Sequence, residues 1–131
     1  MRNELTKKDE STIAVIGKHD LGDIIKPLIR EIHLFDSYVA GTTHLKDKTV
    51  LETIKVGDNL TLQREDDNKY DSNAILVLNE EKKKLGYVPE KDNIVFARLM
   101  DAGKLLKAKI TDIKQKGNYT QISVGIYLVD L

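Results

Sequence analysis

The sequence predicts a mainly β fold of the α+β kind, a small, closed or nearly closed β-barrel of about six strands with two flanking helices. Three observations carry this expectation. From Phe35 onward apolar residues recur with a period of two in short segments. Turn-forming residues break those segments at Val56-Gly57-Asp58-Asn59, Asn79–Lys84 and Gly117-Asn118. The chain's 131 residues, 40% of them apolar, supply one core rather than two. Closure is economical because it leaves no exposed strand edges.

Taken in order, residues 1–30 form an N-terminal extension and residues 31–131 the barrel domain. Met1–Glu10 is a polar tail, and Ile13–Ile16 is a short apolar run open to either strand or helix. Ile24, Ile25, Leu28, Ile29 and Ile32 recur at helical spacing, behind Asp20 or Asp23 as N-cap. Pro27 starts or bends that helix, and His33 falls at its junction with a strand, Phe35–Ala40, that ends at Gly41. Leu60 and Leu62 alternate with Asn59, Thr61 and Gln63 in the next strand. Ala74–Leu78 is unbroken apolar sequence, the pattern of a strand covered on both faces. Leu85–Val88 is its hairpin return, which Pro89 stops for want of a donor. Asp92 or Asn93 caps a helix over Ile94–Ala102 that closes at Gly103. Leu106, Ala108 and Ile110 face inward from another strand. Ile122, Val124, Ile126 and Leu128 do so from the last.

Composition excludes several function classes. Cysteine is absent, so disulfides, thiolate catalysis and cysteine-ligated zinc are ruled out. No apolar run is long enough to cross a bilayer. The charged start lacks the apolar stretch of a secretory signal, and the cytosol is the expected compartment. The 21 basic and 21 acidic residues exclude a wholly basic coat, but they are unevenly placed. Residues 1–80 hold 11 Lys/Arg against 15 Asp/Glu, and residues 81–116 hold 10 against 5. A local positive field can therefore persist in a neutral protein.

The informative stretch is Arg64-Glu65-Asp66-Asp67-Asn68-Lys69-Tyr70-Asp71-Ser72-Asn73. Its Asp and Asn side chains favour turns by bonding local backbone donors. Tyr70 is a flat ring among polar neighbours, either packed on the barrel end with its hydroxyl in water or displayed to a ligand. The acids do not make a calcium loop. Counted from Asp66 or from Asp67, the sixth position is Asp71 or Ser72 instead of glycine, and the twelfth is Val77 or Leu78 instead of glutamate. His19, His33 and His44 have no zinc spacing. The serines lack a nucleophile elbow, and no G-x-x-x-x-G-K-[ST] loop exists.

The pattern Arg64-Glu65, Asn68, Tyr70-Asp71, Asn73-Ala74-Ile75 and Val77 resembles the HIRAN domain. The resemblance continues through Leu85-Gly86-Tyr87-Val88-Pro89, Ala97, Leu99 and Asp101-Ala102-Gly103, and begins upstream at Val39-Ala40-Gly41-Thr42 and Val56-Gly57-Asp58. It covers about residues 33–130. The resemblance implies a modified OB-like or SH3-like barrel, found at the front of SNF2-type fork-remodelling ATPases and as stand-alone bacterial and phage proteins. It implies binding of single-stranded DNA at its 3′ end, in repair or replication, with no cofactor, no metal and no catalysis. By resemblance Tyr70 stacks a terminal base and Asp71 accepts from the 3′-hydroxyl. Asn68, Tyr87, Lys91, His44, Lys107 and Lys109 are the other expected contacts. The chain departs from the DNA-binding member's basic contacts. Glu90, with Lys91 beside it, stands where that member has a lysine. Thr42, Thr43 and His44 stand where it has an Arg-Tyr pair, and Tyr87 stands for a histidine. Lys82, Lys83 and Lys84 offer substitute phosphate contacts, or merely guard strand edges.

Two rivals come from other classes. One is a protein-interaction or homo-oligomerisation barrel that uses the isoleucine-rich helix and has no nucleic-acid affinity. The other is a magnesium-dependent nuclease built on the scattered carboxylates.

Overall fold

Alternation of apolar and polar side chains sets which face of each strand turns inward, and the computed structural model, which describes residues 29–130, follows that alternation closely. Its strands are β1 (Arg30–Tyr38), β2 (Asn59–Arg64), β3 (Ile75–Leu78), β4 (Lys84–Tyr87), β5 (Leu106–Lys116) and β6 (Tyr119–Asp130). The helix α1 spans Glu90–Asp101, and two short 3₁₀ turns cover Thr42–His44 and Lys48–Glu52. Residues Glu31–Asp130 make one unit with one core.

The strands form a single sheet in the order β1-β6-β5-β2-β3-β4. β5 and β6 are an antiparallel hairpin joined by the tight turn Gly117-Asn118, where Gly117 takes φ +62°. A register shift between Ile110 and Asp112 bends β5 past its inward residues Leu106, Ala108 and Ile110. β3 is buried along most of its length, as its unbroken apolar run requires. The two ends of the sheet meet at one place. Val39 donates to Ile122 of β6 at 2.9 Å, and the next residue, Ala40, exchanges both backbone hydrogen bonds with Tyr87 of β4, at 2.8 and 2.9 Å. The barrel is thus an open sheet curled until its edges touch through one residue pair, short of full closure.

That contact leaves no room for a side chain at Gly86. A Cβ built there lies 2.2 Å from the Ala40 carbonyl oxygen and 2.7 Å from Val39 Cγ1.

Several boundaries differ from the sequence expectation. The expected helix Ile24–Ile32 lies outside the described residues as far as Leu28. Ile32 belongs to β1, so the helix does not extend that far, and His33 sits inside the strand rather than at a junction. β1 begins at Arg30, five residues before the expected start, because Glu31 and His33 find partners across the sheet. Glu31 pairs with Lys107 and with Lys109, the latter at 2.8 Å, and the His33 ring meets Tyr127 edge-on at 5.3 Å. α1 starts at Glu90 directly after Pro89, ahead of the expected caps. Pro89 has no donor to lose at the helix entry and its carbonyl receives the Asp92 amide at 2.9 Å. Asp92 instead accepts from the Ser37 hydroxyl at 2.9 Å. Asn93, Phe96 and Ala97, spaced three and four apart, form the buried stripe of α1. The helix closes through Gly103 at φ +93°, whose amide bonds Met100, while the Lys104 amide bonds Leu99.

Among the described residues no helix is long and apolar enough to cross a membrane.

Two predictions follow from this packing. Gly86→Ala drives a methyl group into a backbone oxygen, at the upper end of overpacking costs, about 3 kcal/mol or more. The thermal midpoint should fall by at least about 10 °C, and an unchanged midpoint would show that the bridge is not rigid. Acid should also weaken the fold. Hydrogen bonds from Lys107 and Lys109 hold the Glu31 carboxyl below its ordinary value, and Arg64 does the same for Asp101. Both contributions are fully present above the ordinary carboxylate values and disappear as pH falls through the lowered ones. Thermal melts between pH 6 and pH 3 should therefore decline below about pH 4.5. Glu31→Gln should decline less than the unsubstituted chain, and an equal decline contradicts the Glu31 assignment.

Candidate nucleic-acid interface

The segment between β2 and β3 has no regular structure, yet side chains brace it throughout. Arg64, at the end of β2, reaches across it. Its Nη1 donates to the Ala74 carbonyl at 2.7 Å and its Nη2 to the Ser72 carbonyl at 2.9 Å. Its Nε meets Asp101 at the end of α1 at 2.9 Å. The hydrogen bond to Asp101, with the charges of Asp101, Asp66 and Asp71, raises the guanidinium's pKa above its ordinary value. Asn68 organises the other half, since its Oδ1 accepts from the amides of Tyr70 at 2.8 Å and Asp71 at 3.0 Å. This is the Asx-turn chemistry that its residue type favours.

Glu65 receives two donors on one oxygen, Nδ2 of Asn68 at 2.7 Å and the Tyr87 hydroxyl at 2.8 Å. These two bonds hold the Glu65 carboxyl below its ordinary range. Burial, with the same glutamate, raises the Tyr87 phenol above its own. Tyr87 is thereby fixed through its hydroxyl while its ring borders the pocket.

The outcome is an open pocket of about 290 Å³, whose lining includes Ala40, Asn68, Tyr70, Asp71, Tyr87, Glu90 and Asn93. Tyr70 is 94% exposed, so its side chain is displayed and not packed on the barrel end. Asp71 is half-buried. One carboxylate oxygen accepts from the Asn73 amide at 2.8 Å and the other from Nδ2 of Asn93 at 2.7 Å. Both donors are neutral, so neither hydrogen bond is an ion pair. The nearby guanidinium is engaged by Asp101 instead.

The structure brings together four of the residues singled out from sequence: Asn68, Tyr70, Asp71 and Tyr87. His44 lies in the exposed 3₁₀ turn and lines a neighbouring concavity instead. Lys91 does not line the pocket. Its amine is 5.6 Å from the Tyr38 ring, beside an apolar groove lined by Leu34, Phe35 and Ile94. Lys107 and Lys109 project from β5 into ion pairs with Glu31, and Lys109 also lies 5.2 Å from the Tyr127 ring centroid. Thr42 is buried and bonds the Thr120 carbonyl at 3.1 Å. Asn93, a cap candidate by composition, serves the site instead, and sequence reasoning misses that use. An amide on the inward stripe of an amphipathic helix is the signal, since a buried amide needs a partner. Among the described residues no three His, Asp or Glu side chains converge as metal ligands would.

Comparison with known proteins places this geometry. The HIRAN domain family model matches residues 32–129. The crystal structure of a protein from Lactobacillus plantarum is similar at 31% identity and a TM-score of 0.73, covering 79% of this chain and 99% of the other. The crystal structure of the HIRAN domain of human HLTF aligns at 18% identity and a TM-score of 0.62, covering 77% of this chain and 78% of that domain. Its NMR structure gives 18% identity and a TM-score of 0.55, over 76% and 78%. No curated protein matches the chain. The family is one of binding domains and is consistent with nucleic-acid binding. With three quarters of its length under the family model and the same curled sheet in its structural neighbours, this chain belongs to the HIRAN domain family.

Proposed function

We propose that the pocket binds the free 3′-hydroxyl end of single-stranded DNA, serving the repair or replication processing of exposed ends. The observation that carries this is the pairing of a fully displayed ring, Tyr70, with an adjoining carboxylate, Asp71, held only by neutral donors. The ring stacks the terminal base, worth about 1–3 kcal/mol without a sequence requirement. The carboxylate accepts a hydrogen bond from the terminal hydroxyl, and it repels a terminal phosphate, which has no proton to offer and carries like charge. Tyr87, fixed by Glu65, forms the opposite wall with Ala40. Asn68 holds both ligand-facing residues in register through their amides.

Anisotropy titrations with single-stranded oligonucleotides ending in 3′-hydroxyl or 3′-phosphate test the assignment. The hydroxyl form should bind about ten- to a hundredfold more tightly, the worth of a hydrogen bond to a charged group. Asp71→Asn should erase most of that preference. Equal affinity for the two ends, unchanged by Asp71→Asn, sinks end recognition. Tyr70→Ala should weaken both forms alike, by about fivefold to a hundredfold, because stacking does not depend on the terminal group.

A further inference from the structure

The charged side chains lining the Tyr70 pocket are Asp71 and Glu90, both acidic. Such a pocket suits a hydroxyl and repels the phosphates that precede it, so a bound strand needs cations elsewhere along its path. They stand in the next concavity along β4, about 470 Å³ in volume, whose lining includes His44, Lys46, Asp47, Lys83 and Lys84.

The two concavities draw lining residues from the same two stretches of chain, 40–50 and 83–90. Lys84 and Tyr87 lie three residues apart on β4, about 10 Å along the strand. The Lys84 amine sits 4.7 Å from the Tyr87 ring centroid, at the border between the two spaces. On the other side, Ala40 lines the first pocket and His44 the second, and the His44 amide bonds the Gly41 carbonyl at 3.0 Å. Lys46, Lys83 and Lys84 are exposed, and none forms an ion pair with another described residue. Asp47 is close enough to Lys83 to feel its charge, but its carboxylate bonds the Thr49 amide and hydroxyl. Lys82, in the same hairpin turn, directs its amine to the Thr61 hydroxyl at 2.6 Å and lines a different concavity.

We infer that the concavity of Lys46, Lys83 and Lys84 is the phosphate subsite of the groove, receiving the backbone that leads into the Tyr70 pocket. The inference rests on the end-binding function proposed above and adds a direction to it. The 3′ nucleotide lies at Tyr70, and the strand runs back past Tyr87 and Lys84 over the β3–β4 hairpin. A charge-bearing polynucleotide is thus gripped where the cations are, and its uncharged terminal hydroxyl is read where the acids are.

The test is a salt titration with a 5′-labelled ten-nucleotide oligothymidine ending in 3′-hydroxyl. The double substitution Lys83→Ala/Lys84→Ala should weaken binding by on the order of 10- to 100-fold at 50 mM salt and flatten the log–log salt slope by about 1.4. The preference for 3′-hydroxyl over 3′-phosphate should survive. Lys83→Arg/Lys84→Arg should restore affinity, whereas Lys55→Ala, a surface lysine lining neither concavity, should change little. If the double alanine variant keeps the original affinity and slope while the end preference persists, the phosphate subsite is wrong and end binding stands. If the unsubstituted chain shows no end preference, end binding fails and takes this subsite with it.

Discussion

The backbone pair between Ala40 and Tyr87 is the constraint from which the rest of this architecture follows. Without it the sheet has two remote edges, β1 and β4, and no pocket. With it, the residue after Val39 is bonded to β4 while Val39 itself is bonded to β6, so adjacent residues tie together opposite ends of the strand order. Ala40 and Tyr87 then stand side by side in the lining of one concavity. The approach is close enough that only a residue without a side chain fits at Gly86.

A second constraint is electrostatic. Two acids flank the Arg64 region, Asp71 in the loop and Asp101 at the end of α1, and the guanidinium pairs with Asp101. The same arginine satisfies two loop carbonyls and so fixes the loop's shape, and it feels the Asp71 charge without forming an ion pair with it. Asp71 is oriented by an amide and a backbone N–H instead. Neutral donors set the direction of a carboxylate without pairing it to a cation. Glu65 does comparable work one layer out, since its shared oxygen couples the loop residue Asn68 to the strand residue Tyr87.

Much of this was legible in the sequence. Leu60 and Leu62 in β2, Leu106, Ala108 and Ile110 in β5, and Ile122, Val124 and Ile126 in β6 are buried as their alternation indicates. The turn at Gly117 and the helix stop at Gly103 followed from local backbone chemistry. The ordered anchors from Val39 to Gly103 pointed to the family. What stayed hidden depends on partners distant in the chain. At the start of β1, Glu31 meets Lys107 on β5 across 76 residues, which no local period encodes. Asp92 and Asn93 have the composition of caps, yet tertiary partners recruited both, Ser37 for one and Asp71 for the other. Lys107 and Lys109 look like phosphate contacts by charge alone, and only the folded sheet reveals Glu31 between them.

Those two lysines also explain why charge totals misdirect in a protein of this kind. A formal net charge of zero suggests indifference to polyanions. The fold sorts the charges instead: Glu31 takes up Lys107 and Lys109, and Asp101 takes up Arg64. Lys46, Lys83 and Lys84 line one concavity, with Asp47 as its one acid, and Asp71 and Glu90 line the adjoining pocket. Within a Debye length of about 8–10 Å a ligand responds to this arrangement and not to the sum. On the end-binding reading proposed above, cations in one concavity and acids in the next would suit a chain that is charged along its length and uncharged at its terminus.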